Sequence, residues 1–552
     1  MNKYILTSVL GLASLAAAGQ VLNTEVNVER TVAPVQRAAT RLAEVTPEIL
    51  TPKTDRSSLP LTEYTTAVSL TPTFHALDAA PYPAMPGVTP YRGYIAAGYF
   101  PAYNLGVAAG YRILNTARTT LEASAQFNGS SYGQDDHTAS NNTVDVNVDL
   151  GQRVGHSSLF KASGHFGYSA LGLPVEKDNK RNLTRGGLGL QWWSTVGALT
   201  YHITGELDHF AVGGDVPVTS YVNAAQNLYG LNLGGLATFG AERRGWAGLE
   251  VSFRNLHTMR GMNILSVTAL ERESANDGFL RLTPHVGFHP GRVTVRLGAN
   301  VDIRTAGAAS DIEVSPEAML DWNPSSSVAV FATFSGGRNF NTLAREYAYS
   351  AFAPGIYAGG AYDVPVDARA GINVGPFAGV SVGLWAGYSS AQDVAMPVLL
   401  DGLSTFSPCD VKGWRLGVDA RWQFRNLFDL HAAATLRPSD KPDAGYYRDI
   451  DRARYIIETG VTVTPIPRLS VTLDYEFRGG RAYYACVTAP SITALCHPTG
   501  AVSDLSLGAS YAISPAFSVY LRGENLMGRR PLDLPGLQRQ GVHGLAGIEL
   551  KF

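Results

Sequence analysis

A serine flanked by glycines is the first group in this chain that could do chemistry. Gly379, Ser381 and Gly383 match the pattern G-x-S-x-G, which in hydrolases places a nucleophilic serine on a sharp turn between a strand and a helix. Here the flanking residues alternate as they do in a strand, and no helical pattern follows. We therefore predict that Ser381 is not catalytic and that the glycines relieve crowding within a strand.

Two histidines and one acidic cluster could bind a metal ion. His285 and His289 would share one face of a helix, but four strand residues span about 13 Å, which is too far for one metal. Asp135, Asp136 and His137 are more typical of a solvated loop tip. The sequence contains no zinc pattern, phosphate loop or dinucleotide fingerprint. It therefore predicts no enzyme, no metal and no other cofactor.

The three cysteines leave two interpretations open. Cys486 and Cys496 bracket one short polar segment, and Cys409 lies in another. In an oxidising compartment the first two could pair and leave Cys409 free. All three could equally be incidental loop residues without a function.

The composition indicates an exported protein without a nucleic-acid partner. The 552 residues carry a net charge of −2, only 16% are charged, and there is no basic run. The N-terminus has Lys3, an apolar run over 4–15 and small residues at 16–19, which is typical of a signal peptide over 1–19. No later apolar run reaches the roughly 18 residues of a membrane helix.

Strands with one apolar and one polar face recur along the chain. Residues 292–304, "RVTVRLGANVDIR", alternate in this way, as do 142–150, 414–424, 469–478 and 542–552. These runs are longer than the roughly 5–6 residues of soluble strands, and they match the roughly 9–11 residues that cross a bilayer at a tilt. Charges of both signs in mid-strand suit an aqueous lumen, although a solvated outer face of a sandwich could also carry them.

Short and long connections alternate between these runs. Ten short turns are rich in Pro, Gly and Asn; they lie at 115–118, 152–156, 196–197, 242–244, 290–292, 323–326, 375–377, 425–426, 465–468 and 514–516. The longer, polar connections lie at 129–142, 170–184, 211–223, 257–277, 337–362, 391–411, 438–450, 479–501 and 528–540. With two shorter outer connections, at 101–104 and near 305–310, this predicts an all-β, antiparallel outer-membrane β-barrel of about 22 strands over 92–552, with both termini in the periplasm.

The predicted inner face carries charged side chains of both signs. They are Asp145, Asp149, Arg296, Asp302, Arg304, Arg415, Asp419, Arg421, Asp474, Glu476 and Arg478. Any barrel lumen is polar, so we expect these charges to pair with one another. The aromatic residues near strand ends, among them Trp192, Trp193, Trp322 and Trp422, are expected to form interfacial girdles.

The strand count and two segments resemble the TonB-dependent outer-membrane receptors. Residues 328–357 followed by 365–393 are similar to the mid-barrel region of those receptors, and "VYLRGENLMGRR" (519–530) is similar to their penultimate strand. The C-terminal Phe552 resembles the signal read by the outer-membrane assembly machinery. The resemblance implies a transport barrel in the outer membrane of a Gram-negative bacterium, surrounded by its lipid.

The chain departs from these receptors in two places. Residues 362–370 replace their usual Asn-Pro-x-Leu stretch. About 70 residues, too few for a plug domain, lie between the signal peptide and the first strand. This segment, 20–91, holds nine prolines from Pro34 to Pro90 and reads as an extended periplasmic arm, which could be a small plug or a partner-binding segment.

The function therefore stays open between transport and two alternatives. A barrel of this size needs its lumen filled, by the arm, by infolded outer loops or by a periplasmic or lipoprotein partner. Residues 23–34 resemble a TonB-binding box only loosely, so a TonB partner is left open. The alternatives are a passive porin-like channel and a structural or assembly component of the envelope.

Overall fold

The computed structural model describes residues 91–552, with interruptions at 102, 135–136, 173–179, 217–219, 241–243, 264–270, 307–310, 350–359, 401–402, 439–452, 488–492, 499 and 535–536. The expected signal peptide (1–19), the expected arm (20–91) apart from Tyr91, and the pair Asp135 and Asp136 lie outside the described residues.

Nearly all of the described chain is β-strand. The strands are β1 (Gly93–Phe100), β2 (Asn104–Asn115), β3 (Thr119–Gln134), β4 (His137–Val154), β5 (Ser158–Gly172), β6 (Lys180–Val196), β7 (Leu199–Val216), β8 (Ser220–Phe239), β9 (Gly245–Asn263), β10 (Glu271–Phe288), β11 (Val293–Ala306), β12 (Ile312–Ser325), β13 (Val328–Asn341), β14 (Gly360–Phe377), β15 (Val380–Leu400), β16 (Leu403–Phe424), β17 (Phe428–Leu436), β18 (Tyr455–Ile466), β19 (Leu469–Gly479), β20 (Ala482–Val487), β21 (Thr493–Pro498), β22 (Val502–Ser514), β23 (Phe517–Glu524), β24 (Leu532–Leu534), β25 (Leu537–Gln538) and β26 (His543–Lys551). One helix, α1 (Leu343–Tyr349), follows β13. Within the part of the chain that the structure describes, no helix is long and apolar enough to cross a membrane.

Twenty-two of these strands close into an antiparallel barrel, as predicted. Each strand pairs with its neighbour in sequence, apart from the hairpins β20–β21 and β24–β25, which lie outside the ring. The ring closes where β1 pairs with β26, from Tyr94 opposite Lys551 to Tyr99 opposite Ala546. Because the ring is closed, it leaves no barrel strand with a free edge in lipid.

Nine of the ten predicted short turns are present in the described residues, all at one mouth of the barrel, and most of the turn expected at 242–244 lies outside the described residues. The turn expected at 375–377 is displaced, because β14 continues to Phe377 and β15 begins at Val380. Most outer connections were predicted too long, whereas those expected at 438–450 and 528–540 were predicted too short. For example, β15 and β16 continue to Leu400 and from Leu403, so most of the connection expected at 391–411 is strand. Beyond the membrane both faces of a strand meet water, so the alternation disappears while the backbone ladder continues.

The two faces of the barrel wall differ as expected. On β7 to β10, one row of directly opposed residues reads Ile203, Leu233, Val251 and Leu282. Ile203 and Leu233 are exposed and Val251 and Leu282 are half-buried. This apolar face meets lipid, whereas the ion pairs lie on the opposite face of the same strands. Trp322 and Trp422 are exposed near the short turns. Trp193 has the opposite orientation: its ring packs against His202 on the lumen side, with ring centroids 5.8 Å apart.

The cysteine positions can be compared only through the backbone register. Cys486 lies opposite Ala494, and Cys496 lies opposite Tyr484. The two cysteines are therefore diagonal neighbours of the β20–β21 hairpin and not directly opposed residues.

The described residues of the connection 525–542 form a strap across the outer end of the closing seam. Asn525 adopts a left-handed backbone (φ 47°), and its amide nitrogen donates to the backbone oxygens of Arg529 and Gln540, both at 2.7 Å. Farther along, Arg530 donates to the oxygen of Gly133 on β3 at 3.3 Å. The Asn-Leu exit of the segment 519–530 thus begins a connection that passes over β1 and β2.

Candidate functional site: the charged inner wall and its infolded tip

Most of the predicted inner-wall charges are paired. Arg296 lies 3.4 Å from Glu250 and 3.1 Å from Glu317. The other pairs are Asp145 with Arg185, Asp302 with Arg281, Arg304 with Asp277, Arg415 with Asp367, Arg421 with Asp429, and Glu476 with Arg478. These pairs line a hydrated surface without a large excess of either sign, which suits a conduit better than a site for one strongly charged ion.

Ser381, His285 and His289, which were considered for catalysis or metal binding, lie at separate places in the barrel. Ser381 lies within β15 opposite Arg421, and the strand continues after it. His285 is buried, with Nδ1 3.3 Å from the oxygen of Thr283, whereas His289 lies in the turn region after β10 and contacts Thr294. Among the described residues, no group of three or more potential ligands is placed to hold a metal ion.

The outer end of β13 bends into the lumen. Strand pairing shifts between Ser335 and Gly337, and Gly337 has a φ of 134°, which other residues rarely adopt. A side chain at Gly337 would collide with Arg281 and Asp302. The amide nitrogen of Ala361, on the returning β14, donates to Asp277 on β10 at 2.8 Å. Because β10 and β14 are not neighbours in the sheet, this contact means that the chain folds inward across β11 and β12.

We call residues 336–349 the infolded tip, and Arg338 is its electrostatic centre. The guanidinium group donates to both oxygens of Asp311, at 2.7 and 3.0 Å, and to both oxygens of Asp363, at 2.7 and 3.2 Å. Its backbone N–H donates to Asp302 at 2.7 Å. Arg281 binds the same carboxylate and also donates to the backbone oxygen of Arg338. Only 2% of the Arg338 side chain is exposed.

An apolar contact continues the attachment beyond Arg338. The ring of Phe340 packs on Phe279 with centroids 5.1 Å apart, and Leu256 completes this buried cluster. The side chain of Asn341 then binds β15. Its amide nitrogen donates to the backbone oxygen of Asp393 at 2.8 Å, and its amide oxygen accepts from the backbone N–H of Ala395 at 2.9 Å. The infolded tip therefore contacts both the inner wall and the tall outer hairpin β15–β16.

Helix α1 docks on the inner face of β5 to β8. Leu343 and Tyr347 share one buried apolar cluster with Leu171, Leu183, Val212 and Ala224. The side-chain oxygen of Gln226 accepts from the N–H of Leu343 at 2.6 Å, which satisfies one of the free N–H groups at the start of the helix. Burial raises the pKa of Tyr347 to about 12, so its hydroxyl stays protonated. The helix occupies part of the outer lumen.

Sequence reasoning located this segment but missed its attachment. The mid-barrel resemblance covered 328–357, and Asp302 was among the predicted inner-wall charges. Arg338, Arg281 and Gln226 were not identified. The adjacent Gly336 and Gly337 before an arginine were the available signal for a bend in a strand, but Arg281 lies 57 residues from Arg338 in sequence and Gln226 lies 117 residues from Leu343.

The attachment of Asp311 should weaken at low pH. The hydrogen bond from Arg338 holds the pKa of Asp311, in the connection before β12, below its ordinary value of 3.8. A lowered carboxyl pKa stabilises the folded state above pH 3.8, and this contribution is lost as the pH falls through the lowered value. We expect Asp311→Asn to lower the thermal midpoint near neutral pH, with the difference from the unmodified protein shrinking below about pH 4. Melting followed by circular dichroism at both pH values checks this; a constant difference would contradict it.

Comparison with known proteins shows the fold. No protein-family model matches the sequence, and no curated protein matches it significantly. Among solved structures, the barrel is similar to the FrpB iron transporter from Neisseria meningitidis (9% identity, TM-score 0.64, covering 84% of this chain and 82% of that one). It is also similar to FpvA of P. aeruginosa bound to pyoverdines (10% identity, TM-score 0.63, covering 84% and 72%) and to the copper transporter OprC (9%, 0.61, 84% and 80%).

This chain has the barrel fold of the TonB-dependent outer-membrane receptors. The closed 22-strand ring, with apolar side chains on its outer face, is the architecture of an outer-membrane barrel, and the similar structures share it. At 9–10% identity the similarity shows the fold. It does not assign the substrates of those proteins to this chain. The observations on the inner wall and the infolded tip come from this chain itself.

Proposed function

We propose that the protein transports a solute across the outer membrane and that it does so through a partly closed lumen. The observation that carries the proposal is the infolded tip, which fixes part of an outer connection inside a barrel of the receptor size class. A barrel built only as a structural element has no need of a buried ionic attachment inside its lumen. The iron, copper and pyoverdine named for similar structures support transport as the general function.

The infolded tip favours gated uptake over an open porin. It is attached to the inner wall at three points: the Arg338 ion pairs, the Phe340 cluster and the docked helix α1. We propose that the remaining space is filled by the arm at 20–91 or by a periplasmic or lipoprotein partner.

Single-channel conductance in a planar bilayer tests the proposal. We expect the full-length protein to be silent, and a variant lacking residues 20–90 to open in large steps, because the arm then no longer fills the lumen. Large steps from the purified full-length protein that disappear when a co-purifying partner is added would support a partner plug instead. Large steps that no partner reduces would favour the porin, and silence of both proteins would favour a structural role.

A further inference from the structure

Four polar side chains form one row on the outside of the barrel. We call them the His–Asn row: His209, Asn227, His257 and Asn276. They lie on β7, β8, β9 and β10, and each is directly opposite the next in the strand register. The row is therefore continuous across four neighbouring strands.

The row lies at the outer boundary of the lipid-facing surface. His209 has the same orientation on β7 as Leu199, Ile203 and Leu207, which are all exposed apolar residues. It follows Leu199 by ten residues. At 3.3 Å per residue and a 40° strand tilt, the two residues are separated by about 25 Å along the membrane normal. Since the apolar band of such barrels is about 25 Å tall, the His–Asn row lies where hydrocarbon gives way to lipid headgroups.

The side chains of the row are held in pairs by hydrogen bonds. Nδ1 of His209 lies 2.8 Å from Oδ1 of Asn227, and Nδ1 of His257 lies 2.7 Å from Oδ1 of Asn276. An amide oxygen can only accept, so each ring carries its proton on Nδ1. In this tautomer Nε2 is an acceptor, and each asparagine keeps N–H donors. The row thus offers acceptors and donors alternately along the barrel surface.

We propose that the His–Asn row binds the sugar headgroup of a glycolipid in the outer leaflet. The acyl chains of this glycolipid would contact the lipid-facing apolar band directly below the row. One lipid molecule would therefore contact both the band and the row. Sugar hydroxyl groups both donate and accept, and they complement the alternating acceptors and donors. A bare phosphate complements them poorly, because it offers only acceptors at neutral pH, and the adjacent outward positions Ala211, Ala225 and Met259 add no positive charge. The proposal does not depend on transport.

Binding of fluorescently labelled rough lipopolysaccharide to the purified barrel in detergent tests this proposal. We expect the double variant His209→Ala/His257→Ala to bind about 10- to 30-fold more weakly, since each lost pair removes about one net hydrogen bond. Asn227→Ala/Asn276→Ala should weaken binding similarly. Asn255→Ala, one row lower on the same face of β9, is the matched control and should bind as the unmodified protein does. Labelled phosphatidic acid, which has a phosphate but no sugar, should bind weakly to all of them.

Several results would overturn the proposal. Equal affinity of the unmodified protein and both double variants for lipopolysaccharide would exclude the row as the site, and so would an equal loss in Asn255→Ala. Phosphatidic acid that binds as tightly as lipopolysaccharide would show recognition of phosphate and not of sugar. The heat-dependent gel mobility of each variant reports whether its barrel has closed. If one double variant fails this check, the other provides the test.

Discussion

Arg338→Ala should destabilise the protein by about 2–3 kcal/mol. Removing one partner of a buried ion pair costs about 3–5 kcal/mol, and the expected loss is smaller here because Asp311 and Asp363 are partly exposed. The substitution leaves both carboxylates facing each other without the charge that separates them. The free energy of unfolding, from reversible urea titration in detergent micelles, measures this loss.

Arg421→Ala is the matched control for Arg338→Ala. Arg421 also binds an aspartate on the inner wall with two hydrogen bonds, to Asp429, but 52% of its side chain is exposed. Exposed ion pairs contribute about 0–1 kcal/mol, so the control should change the free energy of unfolding by no more than that. Equal losses in the two variants would mean that the burial of Arg338 does not determine its importance.

Gly379→Ala should cost about 3 kcal/mol of unfolding free energy. Gly379 has a φ of 85°, and a Cβ atom there would lie 2.0 Å from the backbone oxygen of Gln423. Backbone strain of this kind costs about 1–3 kcal/mol, and the neighbouring strand cannot move away as a flexible side chain would. The same urea titration measures the loss.

Two control variants separate the causes of this effect. Gly197 also has a positive φ of 63°, but a Cβ atom there would meet nothing within 4 Å. Gly197→Ala should therefore cost only about 1 kcal/mol, the strain of the backbone alone. Ser381→Ala should leave stability almost unchanged. Labelling of Ser381 by a fluorophosphonate probe would contradict its assignment as a wall residue and restore the catalytic interpretation of the G-x-S-x-G pattern.

The barrel was predictable because its strands obey a local rule. A strand that faces lipid on one side and water on the other must alternate, as 292–304 does, and a short turn needs residues of special φ. Both properties can be read within about 15 residues, so the strand count was correct, and so were the nine turns that lie in the described residues. The outer strand ends were not predictable in this way, because both faces there are wet and the prolines, glycine and aspartates of 391–411 are typical of a loop.

The infolded tip depends on contacts that no local pattern contains. Gly337 can be recognised as a bend, but the direction of the bend depends on Arg281 and Asp302 on other strands. Gln226 and Leu343 are 117 positions apart in sequence. The inner-wall charges were identified because they alternate with apolar residues. Their pairing depends on the strand register, which the structure shows and the sequence does not.

The position of the closing seam has a consequence for how the molecule is made. Tyr94 and Lys551 are partners in the finished ring, yet the first emerges from the ribosome when almost the whole barrel remains to be synthesised. Until β26 arrives, β1 has a partner only on its β2 side and exposes an unsatisfied row of backbone groups. The final ladder consists of six residue pairs, whereas β7 and β8 share eighteen. The earliest strand of the barrel is thus completed last, and it needs protection throughout export.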